Sequence, residues 1–295
     1  MTRLQGCGTA LVTPMKPNGD LDLSALRSLV EWQIAEGIDF LVPCGSTGEA
    51  QTLDERERDR VVATVVEAAG GRVPVMAGAT SNDTRRAVEE ARRMSGLGVD
   101  AVLSATPYYN KPAQEGLYRH FVAVADASPR PVCLYNVPGR TAVNLLPATA
   151  LRLAAHPNVL GIKEASGDLR QILEILRRRP EGFAVFSGDD WLAFAVVTAG
   201  GDGLISVTSN EAPAAMTELV QAARDGDLAR ARACQHRLLP LMDANFLETN
   251  PVPVKAALAY MGRIRDGLRL PLVPAGQATR GALTEALGGV GIHAH

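Results

Sequence analysis

Eight short apolar runs recur along this 295-residue chain, at 8–12, 40–42, 73–77, 101–104, 132–135, 159–162, 184–187 and 204–207. They are rich in Val, Leu, Ile and Ala and show little polar alternation, the pattern of strands covered on both faces in a parallel sheet. Between them lie longer amphipathic stretches with charged faces, such as 54–69, 83–97 and 168–179, and Asp54, Asp83 and Asp168 stand where N-caps belong. Eight strand-plus-helix units of about 25–35 residues predict a (β/α)8 TIM barrel. An open doubly wound sheet is the rival, but G-x-G-x-x-G is absent after the first run. Beyond residue 225 the pattern is helical only, at 227–247, 253–260 and 277–287, and these helices are expected behind the barrel. The expected organisation is an α/β chain with a catalytic barrel over 1–225 and a C-terminal helical extension over 226–295.

Composition narrows the function. Hydrophobic residues make up 46% of the chain, enough for a large core, and the net charge is −2 with both signs interspersed. No basic block points to nucleic acid or a membrane surface. No apolar stretch reads as a signal peptide or a bilayer span, so a cytoplasmic enzyme is expected. Cys7, Cys44, Cys133 and Cys234 lie far apart and read as reduced structural thiols. The five histidines, His120, His156, His236, His293 and His295, lack zinc-ligand spacing, so no metal site is expected. Of the 30 basic residues only Lys16, Lys111, Lys163 and Lys255 are lysines. A guanidinium does not give up its proton, so imine chemistry has these four side chains to draw on.

In a barrel of this type the active site lies at the C-terminal ends of the strands. After the second run comes Gly45-Ser46-Thr47-Gly48-Glu49, and after the fourth Thr106-Pro107-Tyr108-Tyr109-Asn110. The fifth ends at Tyr135, followed by Asn136-Val137-Pro138-Gly139-Arg140, and the sixth at Lys163-Glu164. The seventh leads to Ser187-Gly188-Asp189-Asp190 and the eighth to Ser206-Val207-Thr208-Ser209-Asn210. Hydroxyls, tyrosines, one lysine and one arginine thus converge on one rim.

A lysine ending a buried strand loses hydration, which favours the neutral amine that attacks a ketone carbonyl. The bland alternative for Lys163 is a pair with Glu164 or a reach to solvent. Lys16 and Lys111 sit beside prolines in loops, and Lys255 follows 250–253 with no strand to bury it. Tyr135 is the proton carrier, but a phenol of ordinary pKa near 10 needs a hydrogen-bonded relay to serve at neutral pH, through Ser46 or Thr47 and then Tyr109. Taken singly, either tyrosine also reads as a boundary residue and the Gly-Ser-Thr-Gly stretch as a turn. Arg140 can hold a carboxylate bidentately or be one more surface arginine. Asp189 and Asp190 have no metal-ligand company and read as a helix cap. The seventh and eighth rim loops carry no Lys or Arg, which argues against a phosphorylated substrate.

These features together resemble the dihydrodipicolinate synthase family, within the N-acetylneuraminate lyase superfamily. The resemblance runs from about residue 8 to about 270 and is carried by GSTGEA (45–50), TPYYNKP (106–112), LYNVPGRT (134–141), GIKEASGD (161–168), SGDD (187–190), GLISVTSN (203–210) and NPVPVK (250–255). It implies a lyase that condenses pyruvate with L-aspartate 4-semialdehyde to 4-hydroxy-tetrahydrodipicolinate, in the diaminopimelate route to lysine. It implies Lys163 as the Schiff-base lysine, Tyr135 as the central acid/base, and Ser46 and Tyr109 as its relay. Thr47 would contact the pyruvate carboxylate and Arg140 that of the aldehyde, with Gly188 and Ile205 lining the site. Tyr109 would reach into a neighbouring subunit, in a homotetramer built as a dimer of dimers. Neither metal nor organic cofactor is implied, because the lysine iminium is the electron sink.

Ser46 departs from the threonine common in synthases, and serine there also occurs in the sialic acid lyase branch. A sialic acid or 2-oxo-3-deoxy sugar acid lyase stays open as an alternative, as does a non-catalytic pyruvate-binding homologue. The positions matching the family's inhibitor site are Ala50, Gln51, Glu55, Arg58, Asn82, Arg86 and Tyr108. Members sensitive to lysine place an acid where Arg86 stands, so weak or absent inhibition by lysine is expected.

Overall fold

The computed structural model describes residues 4–294; the outermost residues of the two expected units, 1–3 and His295, lie outside it. Eight strands alternate with helices: β1 (Gly6–Ala10), β2 (Phe40–Val42), β3 (Met76–Gly78), β4 (Ala101–Ala105), β5 (Val132–Asn136), β6 (Val159–Glu164), β7 (Ala184–Ser187) and β8 (Gly203–Ser206). The helices are α1 (Leu23–Ala35), α2 (Glu55–Ala69), α3 (Thr84–Ser95), α4 (Gln114–Ala127), α5 (Pro138–Thr141), α6 (Pro147–Leu153), α7 (Leu169–Arg178), α8 (Ala193–Thr198) and α9 (Pro213–Arg224). Helices α10 (Leu228–Ala244), α11 (Val252–Tyr260) and α12 (Gln277–Gly289) follow.

All ladder pairs are parallel, in the order β2-β1-β8-β7-β6-β5-β4-β3. The remaining seam between β2 and β3 is joined by a parallel bridge from Leu41 to Val75, with Leu41 N–H donating to the Pro74 carbonyl (3.0 Å) and Gly78 N–H to that of Pro43 (2.9 Å). The barrel is therefore nearly closed. The eight expected strands are all present, with boundaries displaced by up to three residues. The third starts at Met76 rather than at 73, since the proline at 74 has no N–H for a ladder. The sixth runs on to Glu164, so Lys163 lies within the strand.

The reason the runs lack polar alternation is visible in the packing. One set of strand side chains, including Phe40, Met76, Leu103, Tyr135, Phe186 and Ile205, fills the barrel interior. The alternate set, including Leu41, Val102, Leu134, Ile162, Val185 and Leu204, meets the surrounding helices. Inside, Phe40 and Phe186 meet edge to face at 5.6 Å. Gly8 makes room for them, because a Cβ there would fall 2.1 Å from the Phe40 ring. The expected caps are in place: Asp54, Asp83 and Asp168 accept from the first turns of α2, α3 and α7, and Asp54 forms a reciprocal capping box with Glu57.

The three C-terminal helices fall close to their expected spans, but the expectation that they stand behind the barrel fails for residues 242–255. Met242, Asp243, Phe246, Leu247 and Asn250 line the cavity at the barrel mouth, and Lys255 penetrates to the loop after β2. A run of turns, rather than a straight helix, carries the chain across the rim between α10 and α11.

Candidate active site

Lys163 lies on β6 in register with Tyr135 of β5 and Phe186 of β7. Its side chain is 5% exposed, and Nζ stands 4.5 Å from the centre of the Tyr135 ring. The bland pairing with Glu164 does not occur, because successive strand residues point to opposite faces. Glu164 turns outward toward α7 and accepts from Asn136 Nδ2 (3.0 Å), Gln171 Nε2 (3.0 Å) and the Ser166 N–H (2.7 Å). Burial pushes its carboxyl above the usual carboxylate range, against the pull of those donors. Lys163 is thus a buried amine facing a ring and a cavity, with no carboxylate from its own strand.

Gly188 is required by that placement. A Cβ at this position would lie 2.7 Å from Ala165 Cβ and 3.0 Å from both Cγ and Cε of Lys163. A side chain there would clash with Ala165 and crowd the lysine stem.

A cavity of about 540 Å³ opens over the lysine, bounded by Ser46, Thr47, Tyr135, Arg140, Lys163 and Gly188. A second, of about 480 Å³, shares Ser46, Tyr135, Arg140 and Asn250 with it and continues toward Cys44, Arg58 and Tyr108. The structure therefore brings six of the eight expected site residues to one space. Ile205 is fully buried among the interior side chains, one layer down, and Val207 occupies the cavity wall instead. Tyr109 is 87% exposed, at φ 72° in the left-handed region, on the outside of the loop after β4. It does not line either cavity of its own chain.

The loop after β2 is held from several sides. Thr47 is buried, and its hydroxyl oxygen accepts from Asn250 Nδ2 at 2.9 Å. The Asn250 backbone carbonyl accepts from Arg140 Nη2 at 3.1 Å. Thr47 keeps its own O–H to donate, which suits a ligand carboxylate. Asn250 joins two residues expected to hold two different carboxylates, yet it lies 203 positions from Thr47 in sequence. Only its place in NPVPVK signalled it.

The other three lysines take no part in the cavity over Lys163. Lys16 and Lys111 are exposed. Lys255, expected to lack burial, has no exposed surface at all; its Nζ donates to Glu49 Oε1 at 2.5 Å and to the Thr13 carbonyl at 2.9 Å. Helix packing buries it where no strand does. Burial draws the Lys255 ammonium below the ordinary lysine range, and the Glu49 carboxylate opposes that shift.

The Asp189-Asp190 pair has structural partners. Asp189 accepts from the Trp191 N–H and caps a short 3-10 turn, and Asp190 Oδ2 accepts from the N–H groups of Val207 (3.1 Å) and Thr208 (2.8 Å). Among the described residues no group of His, Cys, Asp and Glu is arranged to hold a metal ion. All four cysteines are free and buried, and burial pushes the Cys44 and Cys133 thiols up to about 12, out of reach as nucleophiles at neutral pH.

A nearly closed parallel barrel with an amine, a phenol, hydroxyls and a guanidinium at its C-terminal mouth defines an α/β-barrel enzyme. Its sequence matches the model of the dihydrodipicolinate synthetase family over residues 3–289, and the chain belongs to that family. It is 54% identical over 291 residues to the 4-hydroxy-tetrahydrodipicolinate synthase of Koribacter versatilis, covering 98% of this chain and 97% of that one. The crystal structure of dihydrodipicolinate synthase from Thermotoga maritima superposes with a TM-score of 0.96 at 45% identity, covering 98% and 99% of the two chains. The chloride-inhibited dihydrodipicolinate synthase from Acinetobacter baumannii, complexed with pyruvate, gives the same TM-score, identity and coverage. Among the described residues no helix is long and apolar enough to cross a membrane.

Proposed function

We propose that this chain is a 4-hydroxy-tetrahydrodipicolinate synthase, condensing pyruvate with L-aspartate 4-semialdehyde in the route to lysine. The observation that carries the reading is Lys163, buried at the strand end with its amine against Tyr135 and facing a cavity that also holds Thr47 and Arg140. Relatives of full-length similarity bear that enzyme name, and a solved relative is described as complexed with pyruvate.

In this reading the Lys163 amine attacks C2 of pyruvate, with Thr47 donating to its carboxylate. Tyr135 passes a proton to the departing hydroxyl, and water leaves as the iminium forms. The pyruvate methyl group then loses a proton to the Tyr135 phenolate left by that step, and its electrons flow into the iminium to give an enamine. The enamine carbon attacks the aldehyde, whose own carboxylate is held by Arg140, and the Tyr135 relay protonates the resulting alkoxide. The aldehyde substrate's amine finally displaces Lys163, closing the ring and freeing the enzyme amine. The iminium is the only electron sink these steps need.

Ser46 and Tyr109 complete the proton relay. Tyr109 stands exposed, away from its own chain's cavities, which fits delivery into a neighbour's site. The working assembly in this reading is a cytoplasmic homotetramer, a dimer of dimers.

Borohydride reduction with pyruvate, followed by peptide mass mapping, tests the reading. The expected result is a stable adduct on Lys163 that is lost in Lys163→Ala. An adduct on Lys111 or Lys255 instead, or none, sinks it. Turnover of a sugar acid without consumption of aspartate semialdehyde would replace the synthase by a sugar acid lyase.

A further inference from the structure

Lys255 is the most deeply buried cation described in the chain, and the proposed reaction does not use it. A fully buried ion pair is a poor stabiliser, because desolvation offsets much of its attraction. Its presence is better explained by what it holds in place.

Its two acceptors both bear on the loop that carries Ser46 and Thr47. Glu49 ends that loop in the left-handed region, at φ 53°, a conformation a side chain of this kind adopts only when its surroundings enforce it. Glu49 Oε1 receives the ammonium at 2.5 Å, while Oε2 faces the Arg269 N–H at 3.4 Å. The other acceptor is the carbonyl of Thr13, whose hydroxyl in turn donates to the Gly48 carbonyl at 2.7 Å. Lys255 therefore grips Glu49 directly and Gly48 through Thr13, the two residues that follow Thr47. Five positions before Lys255 on the same segment, Asn250 fastens the Thr47 hydroxyl itself. One stretch of chain, 250–255, thus fixes Thr47 at its side chain and at its exit.

We infer that Lys255 is a positioning residue for 2-oxo acid binding: its buried contact with Glu49 holds the Thr47 hydroxyl toward the cavity over Lys163. The inference rests on the pyruvate reading given above. It places Lys255 in ground-state binding and leaves the chemistry at Lys163 intact, which separates it from a general structural role.

The experiment compares Lys255→Met, Glu49→Gln and the double variant with native enzyme in steady-state kinetics, normalised to the fraction of protein whose Lys163 is trapped by borohydride at saturating pyruvate. The expected result is a KM for pyruvate raised about tenfold, the scale of one lost hydrogen bond, with kcat per trapped site changed less than about threefold. The double variant should be no worse than the worse single one, because both act through one contact. Lys16→Ala, at an exposed loop lysine, should leave KM unchanged. An unchanged KM in folded variants overturns the inference, as does a loss confined to kcat, or single losses that multiply in the double variant. If neither single variant folds, Lys255 is a structural residue and the inference falls. Failure to trap any Lys163 adduct in native enzyme would instead remove the parent reading.

Discussion

Lys163 Nζ lies 4.5 Å from the centre of the Tyr135 ring, and the two residues are direct register partners on adjacent parallel strands. Strand pairing fixes their separation, so the amine and the phenol that would serve it are held by backbone hydrogen bonds rather than by flexible loops. Sites carried on regular elements keep such geometry more closely than sites on loops.

Tyr135→Phe keeps the ring against Lys163 and removes only the hydroxyl. The expected outcome is a fall in kcat of about 10²–10⁴-fold, the usual worth of a positioned acid/base, with little change in Tm. The pyruvate adduct on Lys163 should still form, more slowly, in a borohydride time course. A kcat within a factor of about three of native would remove Tyr135 from proton transfer.

Asn250→Ala removes the amide that donates to Thr47 and keeps the backbone carbonyl that accepts from Arg140. KM for pyruvate should rise by about five- to tenfold, since Thr47 loses its amide donor, while KM for the aldehyde changes less than about threefold, since Arg140 keeps its acceptor. Steady-state kinetics with each substrate varied in turn checks this. An unchanged KM for pyruvate would show that the Asn250 amide does not position Thr47.

Arg86 is exposed in the first turn of α3, at a position where the family resemblance implies an acid for binding of lysine. A guanidinium repels the inhibitor's ammonium. L-Lysine at about 1 mM is expected to leave the rate unchanged; half-inhibition below that concentration, a binding free energy beyond about −4 kcal/mol, contradicts the argument.

His120 is buried, with Nδ1 3.0 Å from the Thr84 hydroxyl, its ring edge-on to Phe121 and Nε2 without a partner among the described residues. Burial lowers its pKa from 6.5 to about 4. Between those values the unfolded chain binds a proton that the native state refuses, so stability is lost as pH falls through this window. The loss amounts to about 3 kcal/mol when complete. Urea denaturation at pH 7 and pH 4.5 should show a native decrease that His120→Gln lacks. An equal decrease in the variant would assign the acid sensitivity elsewhere.

Glu211 predicts the opposite slope. It is fully buried, accepts from Asn245 Nδ2 at 2.5 Å, and burial together with Asp190 raises its carboxyl well above the ordinary range. The native state holds this proton more tightly than the unfolded chain. Its contribution is full below about pH 4.5 and declines as pH rises, by up to about 1.4 kcal/mol per pH unit. Glu211→Gln keeps the acceptor for Asn245 without a charge. The variant's stability advantage should therefore grow from pH 5 to pH 8 in denaturant titrations, and a constant difference across that range would refute the assignment.

The barrel was legible because its strands are buried on both faces: the runs around Leu41, Leu134 and Ile162 read as uninterrupted apolar segments, and the caps Asp54, Asp83 and Asp168 marked helix starts. The rim residues Ser46, Thr47, Tyr135, Arg140, Lys163 and Gly188 were legible for the same reason, since strand ends in this architecture point to one mouth. Lys255 was misread because its burial comes from helix packing and a partner 206 positions away, which no local pattern encodes. Asn250 and Val207 took places at the site that periodicity could not assign, and Ile205 settled one layer below it.

By itself, the sequence determined which strands form, which way their ends face and which four amines are available. Those follow from apolar periodicity and side-chain chemistry, properties of short segments. Tertiary structure alone decided that Lys163 meets Tyr135 rather than Glu164, and that Lys255 meets Glu49 rather than solvent. The first depends on the pleat and register of paired strands, the second on a C-terminal segment folding back across the rim. Both are set by long-range packing, in which the energy of a contact belongs to residues that the chain itself keeps far apart.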